Sequence, residues 1–405
     1  MNRRLGYLDS LRGIAATVVA IGHFAIFYVN FLILAPYATM PVLQRIWLSP
    51  FVIIVDCDTA VCLFFVLSGF VLTKVFAAHL GAPAATLAGR AVRLFVPGFC
   101  ACAYGFGLYA VTAHFMPDEA GAGLLGSWGS FLKDAFLNMP LLGYQGLTIF
   151  DHVPGISGYL ADQLAGANPP LWSLSVEWQG SLLIFALVAL RRRHRRVWAG
   201  VMATLALLWV RDWFVCFLFG HLVAEGSRAI EALRWRVLAR RVAAGGCLAL
   251  GVFVCGLAAE DFVGPFAALV AANLPLPSTN DPQDAERLYA AMLIFGGVFG
   301  LTEWHRGLEH RALRWLGRMS FPIYLTHYPL EIWVVPLIFK NLPAWFWVAS
   351  PGFSAISPQL EYPRAVLAAF VAVIVMTVTM ATGFLAIDQF AIARGHRLRA
   401  ALGGN

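Results

Sequence analysis

Charge is what this sequence has least of. Asp, Glu, Lys and Arg make up 13% of its 405 residues against 60% hydrophobic ones, and the mean hydropathy is +0.73. So few charges cannot clothe the surface of a water-soluble enzyme of this length; the composition is that of a polytopic membrane protein. Acidic residues are the scarcer sign, 22 against 29 basic, which leaves a net charge of +7. The surplus does not point to nucleic acid. The basic residues fall in short clusters between apolar runs, the pattern of cytoplasmic loops in a membrane protein. Cysteine occurs seven times, always in apolar segments, with no metal-ligand spacing beyond Cys100-Ala101-Cys102; neither a metal site nor a disulfide framework is expected. No internal repeat is found, which withdraws support from the inverted halves of many secondary transporters. The first apolar run is too long for a signal-peptide core and is expected to remain as a helix.

What is present is a succession of apolar runs that reads as an all-α helical bundle with about ten spanning helices. The first runs from about Asp9 to Ala35 and the second from Phe51 to Phe76, with Gly69 as a close-packing residue. The third starts near Leu94, and a polar connection of about 114–170 follows. That stretch is long enough to cover a site and carries a surface-helix candidate at Trp128–Phe136. The fourth helix opens at Leu171-Trp172-Ser173 and ends at the basic run Arg191–Arg196. Two short helices, Val197–Val210 and Trp213–Ala224, precede the Arg228–Arg241 cluster. Helices at Val242–Ala259 and Leu288–Trp304 flank an outer loop at Asp261–Arg287. The ninth contains Ser320–Pro329, and the tenth runs from Arg364 to Phe390. Alternate loops hold nearly all the positive charge, so both termini are expected in the cytoplasm. The whole of 1–405 reads as a single transmembrane domain.

Ionisable residues inside such helices are costly and mark candidate sites. Arg12 and His23 are eleven residues apart, close to three turns, so they share a helix face roughly 16 Å apart along the axis. This pair suits an elongated anionic ligand with its reactive end inward, or a snorkelling arginine and a core histidine. Counting depth from each helix start puts His23 and Glu177 at one level, about 21 Å from the inner face and 9 Å from the outer face of a ~30 Å core. A carboxylate beside an imidazole makes a general-base pair; it would also make a structural ion pair. Nearer the inner face, Arg12, Ser68, Arg90, Arg93, Tyr324 and His327 form a second group. Arginines there offer planar multi-donor sites for phosphates, with Ser, Tyr and His adding directed hydrogen bonds. Lipid headgroups would account equally for Arg90 and Arg93 alone, and a bond to backbone for Tyr324.

These residues lie in segments that resemble the acyltransferase-3 family of bacterial membrane O-acyltransferases. The matching pieces are Leu8–Ala16 with His23 (the Arg-x10-His signature), Phe64–Phe70, Arg90-x-x-Arg93-Leu94, Leu171–Glu177 and Leu316–His327. They occur in family order from about Leu5 to Pro329. Cys62 departs from an acidic residue common in the family, and the last helix carries Asp388-Gln389 without the usual proline. No SGNH hydrolase-like domain is expected. The resemblance implies an acyl-CoA donor, usually acetyl-CoA, entering from the cytoplasm, and a sugar hydroxyl as acceptor. It implies roles for Arg12, His23, Arg90, Arg93 and Glu177. On this reading the chain O-acetylates a cell-envelope or secreted polysaccharide, or its precursor, at a bacterial inner membrane, alone or with a polysaccharide-synthesis complex. His23 would be the base and Glu177 its orienting group; an acyl-enzyme on Ser173, Ser175 or His23 is the other chemistry. A transporter or flippase, and a non-catalytic synthase subunit, are the readings from other classes.

Overall fold

The computed structural model describes residues 6–29, 51–116, 168–210, 212–232, 237–256, 282–350 and 361–402. Among them every regular element is helical. The helices are α1 (Gly6–Tyr28), α2 (Cys57–Ala78), α3 (Pro83–Phe115), α4 (Trp172–Arg193), α5 (Arg195–Leu208), α6 (Phe214–Ala232), α7 (Val237–Gly256) and α8 (Pro282–Gly300). Then come α9 (Arg311–Pro329), a wide π turn at Leu330–Val334, α10 (Val335–Asn341) and α11 (Pro363–Ala401).

Six helices among the described residues are long and apolar enough to cross a membrane: α1, α2, α3, α4 with its preceding turn, α7 and α11. Apolar Phe214–Ser227 is shorter. The last residues expected in the first helix (30–35), most of the 114–170 connection with its surface helix, and most of the 261–287 loop lie outside the described residues.

Two boundaries differ from the sequence reading in an instructive way. Helix α3 begins eleven residues before Leu94, with Pro83 in its first turn, where a missing N–H costs nothing. Arg90 and Arg93 therefore sit on the helix and not in a loop ahead of it. Helix α9 likewise begins at Arg311, so Arg311, Arg314 and Arg318 occupy its first turns. Hydropathy windows end where arginines begin, whereas the backbone stays helical because long basic side chains can reach away from the apolar layer.

The packing that organises the site is the pairing of α1 with α9, which run parallel. Gly13 lies against the backbone of Leu316 and Gly317, and Gly317 against that of Asp9; a Cβ at either position would overlap main chain. Side chains then meet at a nearly constant offset, His23 with His327 and Tyr28 with the Glu331 carbonyl. A second backbone contact joins α2 and α6, Gly69 against Phe217 and Gly220 against Val66. Small residues permit this close approach where lipid supplies no hydrophobic drive. Around it packs a core that includes Phe65, Phe70, Phe217, Leu218 and Phe295.

Helices α2 and α4 both start deep in the bundle. The carbonyl of Val55 abuts Gly22 on α1, one residue from His23. Before α4, Asn168 Nδ2 donates to the Leu325 carbonyl at 3.0 Å, and Tyr324 OH donates to the Pro170 carbonyl at 2.7 Å. Leu171 is buried at 2% exposure. These ends therefore lie beside the middle of α1 and α9, where tertiary partners satisfy backbone groups that lipid could not.

Candidate active site

That deep start of α4 decides where Glu177 goes. It lies on α4 between the layer of Tyr324 and the level of Arg90, and its carboxylate pairs with the Arg90 guanidinium. Ser68 on α2 donates to the same oxygen at 2.6 Å, and Arg90 Nε also donates to Ser181 Oγ at 3.2 Å. Glu177 makes no hydrogen bond to His23, contrary to the expected pairing. The depth count failed because it took Leu171 as the outer membrane boundary, while the structure tucks Leu171 into the bundle.

Five of the six residues expected in the inner group come together, and His327 does not. Arg12, Ser68, Arg90, Arg93 and Tyr324 line one partly open cavity, joined by Glu177, Ser173 and the apolar walls Phe64, Phe65 and Phe321. Arg12 and Arg93 make no hydrogen bond or ion pair with the described residues; Glu177, Asp9 and Asp388 are the counter-charges that Arg12 senses from farther off. Guanidiniums held in a cleft without directly bonded partners are groups that an anionic ligand would satisfy. Tyr324 bonds to the Pro170 carbonyl, as its bland reading had it, and its hydroxyl is also 2.6 Å from Ser173 Oγ.

His327 does not line that cavity. It lies about one turn farther along α9, where its Nε2 is 3.0 Å from His23 Nδ1. A helical side chain leans back toward the preceding turn, and His327 Nδ1 accordingly reaches the Ile323 carbonyl at 3.1 Å. A carbonyl can only accept, so His327 Nδ1 carries the hydrogen. In the neutral pair this leaves the His327 Nε2 lone pair to accept from His23 Nδ1–H, and the lone pair of His23 then sits on Nε2. His327 is fully buried and His23 half-buried, so the chain of bonds runs from the protein interior to the more accessible ring. Aromatic rings hold His23 in place: Tyr328 edge-on at 5.0 Å and Phe27 stacked at 6.5 Å between centroids. An imidazole oriented through one nitrogen, with the other presented for proton transfer, has the geometry of a general base.

Ser173 is less suited to nucleophilic work, since its hydroxyl is engaged with Tyr324 and lies 3.0 Å from the Pro170 carbonyl, with no base among its partners. Ser175 is wholly buried and its hydroxyl has no hydrogen-bond partner. Two acids were assigned no role from the sequence. Asp388 on α11 is 7% exposed, near Arg12 and Arg93, with one oxygen unbonded. Glu331, four residues past His327 in the π turn, is 1% exposed and also has an unbonded oxygen. Each is a lone acid in an apolar helix, a signal that could have singled it out. Among the described residues no group of three or more His, Cys, Asp and Glu could hold a metal ion.

A family model described as an acyltransferase domain, that of the acyltransferase-3 family, matches residues 5–384. The chain belongs to this family. No curated protein and no solved structure matches it. The match spans every residue placed in the site above except the last turns of α11, so the cavity and the histidine pair belong to a membrane acyltransferase.

Proposed function

We propose that this membrane acyltransferase moves an acetyl group from cytoplasmic acetyl-CoA to a sugar hydroxyl of a cell-envelope or secreted polysaccharide, or of its precursor, at the bacterial inner membrane. The observation that carries the chemistry is the bond chain from the Ile323 carbonyl through His327 to His23. Donor phosphates reside among Arg12, Arg90 and Arg93, and the pantetheine arm follows α1 toward His23. His23 Nε2 takes the proton of the acceptor hydroxyl as its oxygen bonds to the thioester carbonyl carbon. The tetrahedral intermediate collapses with cleavage of the carbon–sulfur bond, and CoA leaves as the thiol with the proton returned by His23. His327 is the positioning residue that fixes the His23 tautomer; Glu177 anchors Arg90 on the donor side.

Oriented vesicles test the reading. Acetyl-CoA is expected to support transfer only from the face where Arg12, Arg90 and Arg93 lie, which the charge distribution makes cytoplasmic. A membrane-impermeant acceptor is expected to react only from the opposite face. Thioester consumption that tracks acceptor acetylation separates an enzyme from a transporter. Efficient transfer with both impermeant substrates confined to the cytoplasmic side overturns the through-membrane path.

A further inference from the structure

Past the three arginines a second cavity adjoins the donor cavity. This second, partly open cavity shares Arg12, Ser68, Arg90 and Arg93 with the first and lies between α2, α3 and the last turns of α11. It adds two basic side chains, His396 and Arg399, which are three residues apart on α11 and so share a helix face. Their placement is built by backbone contact: Gly395 packs against Gly89, and a Cβ at Gly395 would lie 2.8 Å from the Gly89 carbonyl oxygen. The residues that follow the two glycines, His396 and Arg90, both line the cavity. The arginine trio and the His396–Arg399 pair are thus two basic stations in adjoining cavities, with the arginines lining both.

We propose that His396 and Arg399 form the subsite for the 3′-phosphate of the donor nucleotide, with the diphosphate held by Arg12, Arg90 and Arg93. The inference rests on the acyl-CoA reading above and deepens it. Coenzyme A carries a diphosphate and, across the ribose, a separate phosphate monoester. A ligand with two separated anionic groups suits two separated basic stations. A guanidinium can engage two oxygens of a monoester at once, and an imidazole adds a directed donor. The α11 turns involved lie past residue 384, where the match to the family model ends.

The test compares acetyl-CoA with 3′-dephospho-acetyl-CoA in membranes holding the full chain, reading the donor KM. Removal of the 3′-phosphate is expected to raise the wild-type KM by about tenfold to a hundredfold, the scale of one lost charge-assisted contact. In the His396→Ala/Arg399→Ala chain the acetyl-CoA KM is raised by a similar factor, and removing the phosphate then adds little. Arg399→Lys recovers part of the discrimination, which a folding defect would not allow. If the double variant loses the same factor as wild type on dephosphorylation, the subsite assignment falls while the donor reading stands. If wild-type membranes consume neither thioester, the donor reading itself is wrong and takes the subsite with it.

Discussion

The arginine cavity and the histidine pair lie within the same bundle, yet they solve opposite electrostatic problems. In the cavity, Arg90 is the one arginine of the three that Glu177 bonds directly, while Arg12 and Arg93 make no bond to the described residues. At the histidines each ring nitrogen but one is engaged within the protein, and the surroundings are aromatic. The first arrangement is unfinished without an anion; the second is finished except at one lone pair. On the proposed reading, affinity for a charged ligand is thereby separated along α1 from the group that would move a proton.

Substitutions can break this division of labour at either end. The largest effect is expected at His23: His23→Ala loses transfer by about 10²–10⁴-fold, the range for a general base, while equilibrium binding of labelled acetyl-CoA persists. Unchanged turnover in correctly inserted protein would remove His23 from the chemistry. Next comes His327→Phe, for which mispositioning of the base predicts a loss on the order of 10²-fold in kcat at little change in donor KM. His327→Gln, whose amide oxygen can accept the same hydrogen bond, should recover much of it; no difference between the two variants would make His327 a packing residue only.

At the other end, Arg93→Ala and Arg12→Ala are expected to raise the donor KM by roughly tenfold to a hundredfold each, with kcat at saturating donor largely kept. A short pantetheine thioester should erase most of that penalty, and equal penalties with both donors would mean that these arginines hold the fold. Glu177→Gln belongs to this class if its place beside Arg90 is its function; a kcat loss as deep as that of His23→Ala would return it to the base. Ser173→Ala should change least, within about fivefold, since one hydrogen bond to Tyr324 is worth only about 1 kcal/mol. A loss matching His23→Ala would instead mark Ser173 as the site of an acyl-enzyme.

Much of this arrangement is legible in one dimension because burying charge in an apolar layer is expensive and therefore conspicuous. Arg12, His23, Arg90, Arg93 and Glu177 stand out against their helices for that reason, and the structure gathers Arg12, Ser68, Arg90, Arg93 and Tyr324 around a single space. What could not be read is which charged residue meets which. The axial level of Glu177 depends on where α4 starts, and that is set by Asn168 and Pro170 bonding to α9. His327 looks like a member of the inner group if α9 is counted from its basic end. Its partnership with His23 follows from the parallel register of α1 and α9, which the Gly13 and Gly317 contacts establish.

The amino-acid sequence by itself determined the class of protein, a helical membrane bundle, and its family motifs. Hydropathy and residue spacing are local properties and survive without knowledge of the fold. The tertiary structure alone decided that His23 meets an imidazole and not a carboxylate, that Glu177 pairs with Arg90, and that the last turns of α11 line a second cavity beside the arginines. Those outcomes depend on the mutual height of helices hundreds of residues apart. A shift of one helical turn, about 5.4 Å, exchanges every polar partner while leaving each helix's own pattern untouched.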